Sequence, residues 1–532
     1  MLEIFVNIIS AFAIILISAL TTVELRRDLM MLQQNSYRRE RYLRWLKASG
    51  DTTSMMRIAG YFLFLFAMAG FNIDAATMTF ISFLGIYGLV KLLKAKYKKP
   101  LAMTGRAKRL FSVQLTLSAS VIAVAIILFG QESLRSALYA AAVAAVGCYC
   151  AAHIITIAAL FVLQPVEKSI NRKFYNAAAE KLTQMPDLKI IGITGSYGKT
   201  STKHYLHRIL SEHFDTIITP GSYNTTLGVV RTINEMLKPY NQVFIVEMGA
   251  KQRGDIAEIC NLVHPRAAIV TAVGPQHLET FKTIQNVCDT KFELVDALPA
   301  DGLAVINNDF SPIARRNVSN TNVQRYGISS PEGCDYKAID IKYTPMGTDF
   351  TVTGAGPDLR LHTSLVGECN ISNLLAAVAI ARHLGVPDSK IQYAVSRIQQ
   401  VEHRLSIKQA GTLTIIDDAF NSNPAGSKMA LDVLAMMSGT RFVITPGMIE
   451  LGEEQFDRNY DFGAHMAHCA DIAMVVGHYN RDAITQGLVS EGMPAEKIMH
   501  FDTFSEAYTH MLGMHRPGDT ILIENDLPDT FK

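Results

Sequence analysis

The segment GITGSYGKTST, residues 192–202, brings together glycines, one lysine and several hydroxyl side chains. It follows the apolar run LKIIGITG and precedes KTSTKHYLHRILSEHF, which reads as a helix. Glycines at such a junction let backbone N–H groups close around phosphate oxygens at a helix N-terminus, where the helix dipole also favours an anion. Gly195, Ser196, Gly198 and Ser201 would form the cradle, Lys199 would reach the terminal phosphates and the Thr200 hydroxyl would ligate magnesium. The strict phosphate-loop pattern has four residues between its glycines, and here five separate Gly192 from Gly198. The strand before and the helix after therefore carry the reading, against a plain glycine-rich turn.

These residues need a scaffold, and the surrounding sequence supplies one. TIITP, VFIVEMG, AAIVTAVG and LAVINND are strand-like runs separated by helical stretches, the signature of a mostly parallel sheet covered on both faces. A second alternation begins near residue 404 with TLTIIDDA, RFVITPG, IAMVVG and DTILIEN. Residues 312–365 are richer in turn residues and allow extra strands. The expected organisation is a membrane region over 1–165, a linker over 166–186, a central nucleotide-binding domain over 187–402 and a smaller C-terminal Rossmann-like α/β domain over 403–532.

The apolar residues are concentrated in the first third. Runs near 3–23, 57–73, 75–91, 110–130 and 136–163 approach or exceed the length needed to cross ~30 Å of hydrocarbon as helices. Basic residues cluster between the first and second runs (Arg26 to Lys47) and between the third and fourth (Lys91 to Arg109), while FNID and GQESLR carry only Arg135. The positive-inside rule then puts both clusters and everything after the fifth run in the cytoplasm, with the N-terminus outside. The short second and third runs could instead form a re-entrant hairpin without changing that sidedness. A net charge of +2 makes no case for nucleic acid, and the basic loops read as orientation signals touching anionic lipid. Seven cysteines show no metal-ligand spacing and read as reduced thiols. Few ionisable residues lie in the spans, which disfavours a transporter.

At this point a family resemblance becomes specific. GITGSYGKTSTK, TPGSYNTTLGVVRTI, VFIVEMGAKQRGDI, AVGPQHLETF, TKFELVDAL, GECNISNLLAAVAIA, EHRL, IIDDAFNSNPAGSKMAL and TPGMIELGEE follow one another as in the Mur ligase superfamily, from about residue 187 to 530. Several resemble most closely the branch that adds D-alanyl-D-alanine to the UDP-muramoyl tripeptide. The resemblance implies an ATP- and magnesium-dependent ligase that makes an amide through an acyl phosphate. It implies Glu247, which closes an apolar strand-like run, as a magnesium ligand, with a structural salt bridge as the alternative. His277 resembles the histidine holding a second metal, against an ordinary loop histidine. Lys291 matches a lysine that many members carry as a carbamate, against a solvated helix lysine. Asn224 and Thr225 match substrate-loop positions. Asn370 and Asn373, three apart on one helical face, resemble a pair near the adenine, against capping or core hydrogen bonding. Arg404, Asp418, Asn421 and Asn423 resemble ATP-facing residues of the C-terminal domain.

Two departures stand out. The membrane region occupies the place of the UDP-binding domain of soluble members, and LIENDLPDTFK replaces the branch's KGS-like glycine turn. The expected protein is thus a multi-pass ligase of the bacterial cytoplasmic membrane. Its partners would be membrane lipid, a muramoyl-peptide or lipid-linked acceptor, an amino acid or dipeptide amine, and envelope-synthesis proteins. A ligase making another polymer such as polyglutamate, and a non-catalytic ATP-binding scaffold, remain the alternatives.

Overall fold

A computed structural model describes residues 2–69, 75–95, 97, 99–131, 133–276, 278–330, 332–344, 347–420 and 422–526. The chain forms two compact units, Met1–Asn171 and Arg172–Asp526. The first is built from the helices Leu2–Gln34, Arg39–Ser49, Met55–Met68, Ala75–Lys94, Gly105–Phe129, Leu134–Cys150 and the start of Ala152–Thr183. Ile4–Gln34, Ala76–Lys94, Gly105–Phe129 and Ala152–Thr183 are each long and apolar enough to cross a membrane.

Side-chain packing fixes the direction of each helix. Ala142, Ala145 and Val146 cluster with Ala13, Ile17 and Leu20, Ala152 and Ile155 with Leu25, and Ala159 and Leu163 with Leu29 and Leu32. Residues 142–163 therefore run beside residues 13–32 in the same sense. Ala75–Lys94 does so too, because Gly85 abuts Leu16 and Gly88 abuts Leu20. Met55–Met68 runs the opposite way: Gly60 abuts Cys150, and the Tyr139 hydroxyl donates to the Ala67 carbonyl at 2.5 Å. Gly105–Phe129 also opposes the first helix, with Gln114 bonded to Thr156 at 2.6 Å and Gly130 against Ala137. Small residues at these crossings let backbones approach closely.

Two sequence expectations are corrected. The run over 136–163 is not one helix but two, broken at Ala151. At the break Arg57 Nη1 donates to the Tyr149 and Cys150 carbonyls at 3.2 Å each, satisfying groups that a helix end leaves unpaired. Arg57, 2 % exposed, also lies 2.7 Å from Glu24 and 3.3 Å from Asp51, and Arg27 bridges the same two carboxylates, with all but Arg57 lying outside the expected spans. The stretch 166–186, expected as a linker, is helical as far as Thr183.

The second unit carries two sheets. The first contains β1 (Lys189–Thr194), β2 (Thr216–Ile218), β3 (Val243–Glu247), β4 (Ala267–Val270), β5 (Leu303–Asn307), β6 (Asn322–Gly327), β7 (Tyr336–Thr344), β8 (Gly347–Gly354) and β9 (Leu359–Thr363). Their order is β2-β3-β1-β4-β5-β6-β7-β8-β9, parallel until β8 and β9 add an antiparallel edge. The central strands are apolar throughout because helices cover both faces. Alternate residues serve different cores, Ile191 and Ile193 on one face and Ile190 on the other. The second sheet contains β10 (Ser406–Ala410), β11 (Leu413–Asp418), β12 (Arg441–Thr445), β13 (Ile472–Val476), β14 (Ile498–Phe501) and β15 (Thr520–Glu524), ordered β10-β11-β15-β12-β13-β14. Only β10 is antiparallel to its neighbour. In open parallel sheets ligands gather at the carboxyl ends of the strands.

Candidate active site

The glycine loop lies at the carboxyl end of β1 and opens the helix Lys199–Leu210. Gly195 and Gly198 have φ of +153° and +78°; a Cβ on the first would sit 2.0 Å from Thr271 Oγ1, and one on the second 2.5 Å from Asn373 Oδ1. Neither position admits a side chain, so only glycine lets the loop pack this closely against Thr271 and Asn373. Residues after β4 brace the loop: Ser196 N donates to the Ala272 carbonyl at 2.7 Å, and Tyr197 Oη donates to the Pro275 carbonyl at 3.0 Å. Ser196 Oγ also exchanges hydrogen bonds with the backbone of Gly274 at 3.2 Å. Lys199 Nζ donates to the Gly195 carbonyl at 2.6 Å. Burial lowers the Lys199 ammonium to about 8; Glu247 works against that and Arg404 reinforces it. Thr200 is half-buried in the first helical turn, and Ser201 is buried. Gly198→Ala is expected to weaken nucleotide binding at least tenfold by displacing Asn373 and straining φ; nucleotide titration of the purified variant checks this.

Glu247 ends β3 beside the loop and is 1 % exposed. Its Oε1 accepts from Asn224 Nδ2 at 3.0 Å, and its Oε2 lies 3.0 Å from Lys203 Nζ. Burial alone would raise this carboxyl, but Lys203, Lys199 and Asn224 hold it below the usual range. Lys203, fully buried, also donates to the Gly221 carbonyl at 2.7 Å. The sequence reading gave Lys203 no role, although it sits four residues after Lys199 on the same helical face. Removing one partner of a buried ion pair strands the other charge. Lys203→Met is therefore expected to destabilise the chain by about 3 kcal/mol, read as a lower denaturation midpoint at unchanged slope.

Lys291 lies on the helix Ile284–Asp296 and is 1 % exposed. Burial, aided by Lys199, lowers it to about 7. Among the described residues no carboxylate is within ion-pair distance of it; its ammonium lies 6.0 Å from the Phe281 ring centroid. The solvated-lysine alternative is thus excluded. His277 lies outside the described residues, as does Asn421. Asn370 and Asn373 meet the phosphate-loop helix: Asn370 Oδ1 accepts from Tyr205 Oη at 2.7 Å, and Asn373 Oδ1 from Thr202 Oγ1 at 3.0 Å. They hold the helix Glu368–His383 against the one that starts at Lys199. Thr225 is exposed and caps Thr226–Glu235 by accepting from Gly228 N at 3.4 Å.

The second sheet brings Arg404 into the electrostatic neighbourhood of Lys199 and Glu247. Its neighbours His403 and Leu405 both have left-handed backbones, with φ of +58° and +51°. Non-glycine residues rarely adopt this, and such strain concentrates where a side chain must be aimed. The guanidinium lies 4.0 Å from the Phe420 ring centroid. Asp418 Oδ1 accepts from Leu405 N at 2.9 Å, and burial raises the Asp418 carboxyl to about 6. Asn423 caps Pro424–Ala435, its Oδ1 accepting from Gly426 N at 2.9 Å.

Glu524, in register with Asp418 across β11 and β15, was also missed. It is fully buried and accepts from Ser422 Oγ at 2.6 Å; burial and Asp418 push its carboxyl well up. Its signal was present in the sequence, since an acid closes the apolar run TILIE as Glu247 closes VFIVE. Asn525 follows with φ of +67°, a left-handed position that asparagine tolerates better than most residues.

Comparison with known proteins places this geometry. The model of the Mur ligase middle domain matches residues 193–381, and that of the Mur ligase, glutamate ligase domain matches 403–524. Neither reaches the first 192 residues. The UDP-N-acetylmuramoyl-tripeptide–D-alanyl-D-alanine ligase of Escherichia coli K12 is 31 % identical over 332 residues, covering 62 % of this chain and 73 % of that one. Its Bacillus subtilis counterpart is 27 % identical over 316 residues, covering 56 % and 67 %. A crystal structure of MurF from Acinetobacter baumannii superposes with a TM-score of 0.61 at 28 % identity, covering 67 % of this chain and 77 % of that one. The chain belongs to the Mur ligase family of ATP-dependent ligases that form amide bonds.

Proposed function

We propose that this chain joins D-alanyl-D-alanine to the tripeptide of a muramoyl acceptor, working at the inner face of a bacterial membrane on an acceptor carried by lipid. The observation that carries the ligase reading is the convergence of Lys199, Lys203, Glu247 and Arg404 from two sheets on one phosphate loop. The amine and the muramoyl tripeptide follow from the relatives named above, whose acceptor is UDP-linked; the lipid-carried form follows from the membrane reading below.

The site suits ATP and magnesium, which the family uses: two positive-φ glycines shape a loop at the opening of the helix Lys199–Leu210, and Glu247 is an ionised oxygen donor in a buried setting. Thr200 and Glu247 would hold one magnesium, and His277 with a carbamate on Lys291 a second. Bound ATP and magnesium supply a γ-phosphoryl group that turns the acceptor carboxylate into an acyl phosphate open to attack by an amine. The chain's own contribution is placement and charge. Lys199 and Arg404 neutralise phosphate oxygens, and Lys203 with Asn224 keeps Glu247 ionised and oriented. Asp418, through the Leu405 amide, sets the backbone that aims Arg404. Lys291, with an amine lowered to about 7, has a large neutral fraction able to add carbon dioxide with loss of a proton.

The membrane reading rests on four helices of sufficient length and apolarity and on the five alternating passes. Both basic clusters then lie at one end of the bundle, which the positive-inside rule assigns to the cytoplasm. The last pass leaves at that end. Holding the enzyme on the surface that carries its acceptor raises the effective concentration of each for the other. The test is ADP release by the full-length protein in lipid. It should require both D-alanyl-D-alanine and a muramoyl tripeptide; release that ignores the amine would overturn the reading.

A further inference from the structure

Within the first unit, the end of the bundle that carries the basic clusters encloses a cavity of about 390 Å³. Arg38, Arg39, Arg106 and Lys168 line it together with Glu40 and Glu167, so four cations face two carboxylates and two positive charges remain. We propose that this cavity binds the phosphomonoester headgroup of a membrane lipid, with the lipid's hydrocarbon chain running down the bundle.

Three observations converge on that ligand. The first is charge: a phosphomonoester carries about −1.5 to −2 near neutral pH, which matches the excess in the cavity. The second is an unsatisfied donor. Arg106 Nε is buried without a hydrogen-bond partner, and its nearest acid, Glu167 Oε2, is 3.9 Å away because Glu167 Oε1 already accepts from Arg109 at 2.7 Å. A buried guanidinium N–H lacking an acceptor is costly, and a phosphate oxygen would satisfy it. The third is the wall. Leu110, Leu160, Phe161 and Leu163 line the same cavity from two helices of membrane-crossing length. An inorganic anion would leave this apolar side unused, whereas an amphiphile uses both.

The arginines are also held in place for such a role. The Arg106 guanidinium stands 4.2 Å from the Tyr37 ring centroid and Arg39 stands 5.4 Å from that of Phe161. Stacking fixes the planes of both groups while leaving their edge N–H donors available, an arrangement lysine cannot reproduce. Basic pockets between membrane helices on the cytoplasmic side are suited to anionic headgroups for the same reasons. The inference rests on the membrane reading above and is independent of the ligase reaction.

The test is native mass spectrometry of the full-length chain in detergent micelles doped with dioleoylphosphatidic acid, dioleoylphosphatidylcholine or inorganic phosphate. One phosphatidic acid per chain should be retained, with phosphatidylcholine at least tenfold weaker and inorganic phosphate not retained at matched concentration. Arg106→Gln and Arg39→Gln should each weaken retention at least tenfold. Lys108→Gln, an equal loss of charge on an exposed residue of the same helix outside the cavity, should leave it within twofold. Thermal unfolding of each variant separates lost binding from lost fold, and Arg106→Lys, which keeps the charge without the planar edge donors, should remain at least fivefold weaker than the wild type; full recovery would overturn the geometry argued for Arg106. Equal retention of both lipids, an equal effect of Lys108→Gln, or wild-type retention by both arginine variants would overturn the proposal. Retention of inorganic phosphate alone would reassign the cavity to a soluble anion. A chain found in the soluble fraction after cell lysis would instead overturn the membrane reading on which the inference rests.

Discussion

Lys199→Ala should lower acceptor-dependent ADP release by about 10³-fold, the range seen when a preorganised charge is removed from a transferring phosphoryl group. The expectation follows from the position of this ammonium. It hangs over the loop it belongs to, 2.6 Å from the Gly195 carbonyl, and lies close enough to Glu247 and Arg404 for each to shift it. Burial lowers it to about 8, so the cation is held at some cost in a place where solvent would serve it better. Such a charge is retained for what it does to a ligand. The variant should keep its unfolding midpoint or gain slightly, since a desolvated charge disappears. A loss of less than tenfold in turnover would mean that residues 192–202 do not cradle the transferring phosphate.

Lys291→Met should separate stability from activity more sharply. In the folded chain Lys291 is lowered to about 7 by burial, against an ordinary value of 10.5. The native state therefore binds this proton more weakly than the unfolded state does. Below pH 7 the full cost of the buried cation is present; it shrinks as pH rises from about 7 towards 10.5 and is absent above that. Methionine removes a cost on the order of 5 kcal/mol, so in carbon-dioxide-free buffer at pH 6 the variant should unfold at higher denaturant than the wild type. The gain should fade at pH 9. Turnover should nevertheless fall ~10²-fold or more, as when a group at a phosphoryl-transfer site is deleted, and added bicarbonate should stimulate the wild type but not the variant. A variant that is both less stable and fully active would contradict the role given to Lys291.

Much of this site could be read from the chain because local grammar and chemistry coincide there. A strand, a glycine turn and a helix bearing Lys199 are contiguous, and an acid ending an apolar strand marks Glu247 without knowledge of the fold. The same mark at Glu524 passed unnoticed because no neighbouring motif drew attention to it. Lys203 was hidden for a different reason. Its partner Glu247 is 44 residues away in sequence, and only the pairing of β1 with β3 brings them together. Asn370 and Asn373 could be placed on one helical face from their spacing, but that this face meets Tyr205 and Thr202 depends on how two distant helices pack. The left-handed residues flanking Arg404 were beyond any pattern, since leucine disfavours positive φ and histidine, though enriched there, adopts it in only a small minority of cases. In the helical unit the long apolar helices were legible from hydropathy, whereas at the break at Ala151 the freed carbonyls are met by Arg57, which reaches across from another helix.

The most direct test is the mass of the product formed by the full-length protein in bilayers, given ATP, magnesium, D-alanyl-D-alanine and either UDP-linked or lipid-linked muramoyl tripeptide. Lipid-linked acceptor should gain the mass of the dipeptide less one water, faster than UDP-linked acceptor, with none formed by Lys199→Ala. No amide product from either acceptor, with ATP still consumed, would contradict the assignment of this chain as a D-alanyl-D-alanine-adding ligase.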